Sequence, residues 1–225
     1  MKTAAQTTIK KNSYWFEIIL VTLIVSFTIL TIFAKNYLYF PFDLVITQVI
    51  QLISVPFFKE IMLGITSLGY VNQGAVLICM FALIIFLLGK SKESLMLIIS
   101  STGAVLLSLV FKLIVARPRP DPSLIHQLSA YQSADSFPSG HVLFFMGFFG
   151  YLLYLAHIYL YKGSIKIITE TILIGLIILM GISRIYVGAH WFSDTLGAYL
   201  IGSVWLLFIV KIRPKLIDFL FKKSE

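Results

Sequence analysis

His190 and Asp194 stand four positions apart, a spacing that turns two side chains toward one side of a helical turn. Asp194 can there accept a hydrogen bond from Nδ1–H of His190, which fixes the tautomer and leaves the Nε2 lone pair free. A neutral imidazole held in this way is a nucleophile toward phosphorus. A second histidine, His141, follows Pro138, Ser139 and Gly140. It suits a general acid for a departing alkoxide, and later a base for water. Pro138-Ser139-Gly140 reads as a helix start, where unpaired N–H groups and the macrodipole favour an anion. Gly140 lets an oxyanion come close to the backbone. Lys112, Arg119 and Arg184 add cations, and arginine matches phosphate oxygens two at a time. This set of residue types would bind a phosphate group and stabilise the charge that develops during its transfer.

The elements that must position these residues are membrane helices. Of the 225 residues, 59% are hydrophobic and only 12% charged, about half the charge of an ordinary soluble domain. A span needs about 20 mostly apolar residues. Segments that qualify run from Ser13 to Ala34, Val71 to Gly89, Leu95 to Ala116, Gly140 to Tyr161, Ile167 to Val187 and Asp194 to Val210. The expected fold is all-α: a polytopic membrane protein with six transmembrane helices in a single domain, 1–225. Residues 1–12 form a polar tail, and 117–138 a polar active-site loop. Between the first two spans, Phe42, Val45, Ile46, Val49, Ile50 and Ile53 recur at helical spacing, with Asp43, Thr47, Gln48 and Gln51 on the other face. That pattern predicts a short amphipathic helix, lying on the bilayer or packed on the bundle. A second short helix is expected over Phe57 to Ser67.

Lysine and arginine set the orientation. With the N-terminus inside, 12 of the 18 fall on inner segments, so both termini are expected in the cytoplasm of a cell membrane. Lys112, Arg117, Arg119 and Arg184 then gather on the outer side, against the topology rule. Anion binding explains them. Ser139, His141, His190 and Asp194 fall at the same depth. The net charge of +8 follows from this asymmetry, and no basic stripe suggests nucleic acid. Cys79 permits no intramolecular disulfide, and its apolar surroundings read as a buried small hydrophobe. Tyr186 and Trp191 read as interfacial aromatic anchors bordering the site.

Lys112, six residues, then Arg119-Pro120; Pro138-Ser139-Gly140-His141; and Ser183-Arg184, five residues, His190, three residues, Asp194 occur in that order. In these motifs the chain resembles the type 2 phosphatidic acid phosphatase superfamily, in its membrane lipid phosphatase branch. The resemblance implies a six-span bundle, a site facing outward, a phosphohistidine intermediate, and no metal or other cofactor. It implies catalytic roles for His190, His141 and Asp194, with phosphate held by Lys112, Arg119, Ser139, Gly140 and Arg184. Pro120, Pro138, Ser183 and Arg117 are further candidates, with Ser183 open to a packing role and Arg117 to contact with substrate or water. The implied partner is a lipid phosphate in the bilayer: phosphatidylglycerophosphate, undecaprenyl diphosphate or phosphatidic acid. The lipid tail is expected to arrive sideways between spans, with the amphipathic helix as a candidate wall. A phosphotransferase remains an alternative, as does a lipid transporter or scramblase, although transport gives no reason for a His–Asp pair and a second histidine. The sequence carries no signal of oligomeric state.

Overall fold

The computed structural model of the protein describes residues 4–128 and 135–221, with side chains from 14 to 219 within them. The described residues form helices α1 (Ala4–Asn36), α2 (Pro41–Gln51), α3 (Phe58–Ser67), α4 (Val71–Leu87), α5 (Ser91–Val115), α6 (Gly140–Tyr159), α7 (Ser164–Tyr186) and α8 (Phe192–Phe221). Five helices are long and apolar enough to cross a membrane alone. The pair α3–α4, bent by 69°, makes a sixth span if taken together. The chain is thus an all-helical, multi-pass membrane protein. Helix α1 begins within the stretch expected as a polar tail. Helix α8 runs past the expected end at Val210 and continues through Pro214, because the polar run after Val210 ends the hydropathy signal but not the helix.

Helix α6 is the axis of the bundle and packs against α5, α7 and α8. Glycines make this possible. A Cβ on Gly147 would stand 2.6 Å from the backbone oxygen of Ser100 on α5, so the two helices meet backbone to backbone, as in membrane interfaces built on small residues. Ser100 Oγ donates to Gly147 O at the same crossing. Apolar side chains on the outer faces of α1, α4, α5 and α7 remain exposed, which suits a lipid surround. Cys79 is among the exposed residues and is not buried as its apolar neighbours suggested. Helix α4 presents most of its surface outward, so an apolar run there marks lipid contact and not core.

Helix α2 departs most from its sequence pattern. Pro41 opens it, and Asp43 accepts a hydrogen bond from Phe40 N–H, a normal N-terminal device. Its polar face is the buried one. Asp43 and Thr47 are fully buried, while Phe42, Val45 and Val49 point outward. The helix packs on α7 and α8 through hydrogen-bonding groups and leaves its apolar stripe to the surroundings. A hydropathy pattern alone cannot tell which face meets protein when the solvent is itself apolar.

Candidate active site

Four helix ends and residues 116–128 and 135–139 converge at one end of the bundle. Helix α5 closes on Ala116 in a left-handed conformation (φ 50), which turns the chain into Arg117-Pro118. Helix α6 opens at Ser139, whose carbonyl accepts the N–H of Leu143. The N–H groups of Gly140, His141 and Val142 therefore have no intrahelical partner. Ser139 Oγ makes no capping bond. It is buried with no hydrogen-bond partner among the described residues, so the residue is not acting as a simple cap.

Helix α7 ends in a Schellman motif: Gly188 N–H bonds Ile185 O and Ala189 N–H bonds Arg184 O, both at 3.0 Å. Gly188 has φ +69, and a Cβ there would lie 2.3 Å from His126 O. Two constraints meet at this glycine, a left-handed backbone and contact with the loop before it. The turn delivers His190, which precedes α8 and lies outside it. Asp194 sits in the first turn of α8.

A cavity of about 550 Å³ opens over this convergence. Lys112, Arg119, Gly140, His141, Arg184 and His190 line one end, with Tyr70 and Ser108. The remainder is apolar and runs between α4 and α5, along Ala75, Ile78, Val105, Leu106 and Leu109. The expected wall of this passage, α2, does not border it; α2 lies behind the histidine, against α7 and α8. Buried polar atoms without hydrogen-bond partners cluster at the polar end: Ser108 Oγ, Ser139 Oγ, His141 Nε2, and Nε and Nη1 of Arg184. Buried polar atoms are seldom left unpaired. An oxyanion with several acceptor lone pairs would satisfy Ser108, Ser139, Arg184 and a protonated His141 at once.

His190 is 1% exposed. Its Nε2 lies 3.2 Å from Nη1 of Arg119, and the same Nη1 donates to Ala189 O at 2.6 Å. Burial, followed by the cations of Arg119, Arg184 and Lys112, holds the imidazole well below its ordinary value of 6.5, so it is neutral at pH 7. The distance from Nδ1 to Oδ2 of Asp194 is 3.6 Å, longer than the hydrogen bond expected from their spacing. Asp194 is occupied elsewhere: Oδ2 accepts Trp191 N–H at 2.9 Å, and Oδ1 takes Nη1 of Arg117 at 2.6 Å.

Other candidates fall in different places. Gly69 presses its backbone on His141, since a Cβ there would stand 2.3 Å from Cδ2 of the ring. Lys112 Nζ donates to Asp135 O. Pro120 O accepts from Gln127 at 2.6 Å, an anchor for the loop. Pro138 follows a cis peptide bond and leads into the α6 start. Ser183 is fully buried and bonds Thr66 and Met180 O, so its contacts are those of helix packing. Arg117 meets neither the cavity nor water. It is 1% exposed and ion-paired to both Asp43 and Asp194. Tyr186 and Trp191 are likewise interior: Trp191 lies against Tyr39, and Tyr186 against Phe58. Asp43, Ser193 and Gln51 belong to the surroundings of the site, yet no motif singles them out. In the sequence Asp43 is one polar residue among several on an amphipathic helix. Among the described residues, no group of three or more His, Cys, Asp or Glu is gathered as metal ligands.

Comparison with known proteins gives the family and the fold. Phosphatidylglycerophosphatase B of Bacillus subtilis (strain 168) is 32% identical over 175 residues, which is 75% of this chain and 81% of that protein. A crystal structure of a transmembrane PAP2-type phosphatidylglycerolphosphate phosphatase from Bacillus subtilis superposes with a TM-score of 0.74 at 26% identity, covering 92% of this chain and 98% of the other. The profile of the PAP2 superfamily matches residues 93–218, which include every motif residue lining the cavity, and the chain belongs to that superfamily.

Proposed function

We propose that the protein is a lipid phosphatase that hydrolyses the terminal phosphomonoester of a glycerophospholipid, phosphatidylglycerophosphate first among the candidates, through a phosphohistidine at His190. The observation that carries this is the cluster of unpaired buried polar atoms around a neutral histidine, at the head of an apolar groove. The substrate class is supported by the sequence and structural matches in Bacillus subtilis, each described as a phosphatidylglycerophosphate phosphatase.

Arg119, Arg184, Lys112, Ser139 Oγ and the N–H groups opening α6 hold the phosphate oxygens. Arg119 moves its donor from Nε2 of His190 to the phosphate, which frees the lone pair. Nε2 then attacks phosphorus. The N–P bond forms as the P–O bond to the lipid breaks, and the proton on His141 Nε2 passes to the leaving alkoxide. His141 next takes a proton from water, whose oxygen attacks phosphorus, and the N–P bond breaks to release inorganic phosphate. Negative charge at Asp194 offsets the positive charge that the imidazole ring gains while it carries the phosphoryl group. The lipid tail lies between α4 and α5. No metal ion takes part, and the site faces outward, as the lysine and arginine count supports.

Phosphate release by pure protein in detergent, over a panel of lipid phosphates, tests the reading. Turnover is expected with phosphatidylglycerophosphate, together with an acid-labile, alkali-stable phosphoenzyme. Wild-type turnover by His190→Ala would sink the mechanism, and loss of activity in EDTA with recovery on added metal would sink metal independence. For orientation, Ser123→Cys in a Cys79→Ala background is expected to react with an impermeant thiol reagent on intact cells; labelling only after lysis reverses the assignment.

A further inference from the structure

Asp43 lies on α2, outside every motif, and its carboxylate is 0% exposed. Oδ1 accepts Ser193 N–H at 2.8 Å. Oδ2 accepts Ser193 Oγ at 2.7 Å, Phe40 N–H at 3.0 Å and Nη2 of Arg117 at 3.1 Å. Nη1 of Arg117 reaches Ser193 Oγ at 2.7 Å and Oδ1 of Asp194 at 2.6 Å. One guanidinium is thus shared by two carboxylates, all three side chains at 0% exposure. The sum of their charges is minus one, and the end of the chain nearest the imidazole is Asp194.

A buried, uncompensated negative charge is expensive unless something positive answers it. Arg119 and Lys112 answer part of it from the cavity side, and a closer answer arises during the reaction. The neutral ring of His190 becomes cationic as Nε2 bonds phosphorus, 3.6 Å from Asp194 at its other nitrogen. If Arg117 served Asp194 alone, the pair would be neutral and would give the developing cation little. Asp43 draws half of that guanidinium away. The hydrogen bonds to Ser193 N–H and Oγ also fix the residue next to Asp194 at the start of α8.

We propose that Asp43 is a positioning residue for the nucleophile, acting through the shared Arg117 and Ser193 to leave a net negative charge behind His190 and to hold Asp194 in place there. Through it, α2 becomes part of the catalytic apparatus. This rests on the reading of His190 as nucleophile. Asp43 touches neither substrate nor the reacting atoms. It biases the formation of the phosphoenzyme, where the ring gains charge, and opposes its breakdown, where that charge is lost.

Asp43→Asn removes the charge and keeps the shape. Its kcat is expected to fall about 10- to 100-fold, with KM within about 3-fold, because ground-state binding is untouched. The steady-state level of phosphoenzyme should fall as well, since formation slows and breakdown does not. Ser193→Ala leaves the charge count alone and is expected to lose less than about 5-fold. Both variants are compared per folded molecule, using size-exclusion recovery and thermal melting. Wild-type kcat and phosphoenzyme level in folded Asp43→Asn would overturn the proposal, as would losses in Ser193→Ala that match those in Asp43→Asn. If His190→Ala is inactive while Asp43→Asn behaves as wild type, only this proposal fails; an active His190→Ala removes the reading beneath it.

Discussion

At His190 the electrostatics of the cavity can be read as a direction. Burial and the neighbouring cations all disfavour the imidazolium, while Asp194 opposes them from 3.6 Å. A folded-state value well below 6.5 means that the ring stays neutral as pH falls through 6.5; with His190 as the proposed nucleophile, activity is expected to be lost only where the ring finally protonates. Arg119 is the nearest cation, with Nη1 3.2 Å from Nε2. Arg119→Gln removes that repulsion, so the titration of His190 should move up and the acid limb of kcat/KM with it. Histidine ¹⁵N spectra in micelles measure this without substrate. An unchanged or lower midpoint in the variant would show that Arg119 does not set the charge state of the ring. The same variant is expected to lose about 10²- to 10³-fold in kcat/KM, the usual effect of deleting a donor aimed at a reacting oxyanion.

At the scale of elements, the turn after α7 is where sequence and backbone are most tightly bound. Gly188 and Gly89 both have positive φ, +69 and +75, but a Cβ at Gly89 meets nothing within 4 Å. Gly89→Ala should therefore carry only the left-handed strain, about 1–2 kcal/mol, with activity retained. Gly188→Ala adds contact with His126 O and must shift either the 121–128 loop or the His190 turn. A loss of kcat in Gly188→Ala beyond its loss of folded protein, absent in Gly89→Ala, is the expected contrast; equal behaviour of the two would remove the turn from the mechanism. The cavity residues were legible in the sequence because phosphate chemistry restricts residue types at fixed spacing, and the spans because lipid restricts composition. What held the site from behind was not. Asp43 and Gln51 act across more than 70 positions: Gln51 bonds His126 O at 2.7 Å and Tyr186 O at 3.0 Å. Such pairings leave no periodic trace. The 3.6 Å gap between His190 and Asp194 was equally hidden, since spacing brings two side chains together but does not reveal that Arg117 competes for one of them.

The whole molecule separates the polar end proposed to hold the phosphate from an opposite end that holds the bundle. There Glu93 of α5 is buried, with Arg213 of α8 donating to both of its oxygens and Tyr151 and Tyr159 of α6 adding hydroxyls at 2.7 and 2.8 Å. Glu93 and Lys112 lie at opposite ends of α5, about 28 Å apart at 1.5 Å per residue. Glu93→Gln should lower the melting temperature in detergent and leave KM alone; a changed KM would couple the two ends. Between them, two apolar grooves make contrasting lipid paths. One runs from the candidate catalytic residues between α4 and α5. The other, lined by Ile29, Leu30, Phe33, Phe42, Leu196 and Leu200, contains none of the candidate catalytic residues. A lipid anchored by its phosphate beside His190 can lay its chain only in a groove continuous with that point. Ala75→Trp fills the first groove and Leu200→Trp the second. Ala75→Trp should raise KM for a long-chain lipid phosphate about 10-fold or more, since each excluded methylene forfeits about 0.8 kcal/mol of burial, and should barely change kcat/KM for a short-chain, water-soluble phosphomonoester. Leu200→Trp should alter neither. The reverse pattern would move the tail to the α1–α8 side, and a loss on both substrates in Ala75→Trp would mean that the tryptophan had disturbed the phosphate end itself.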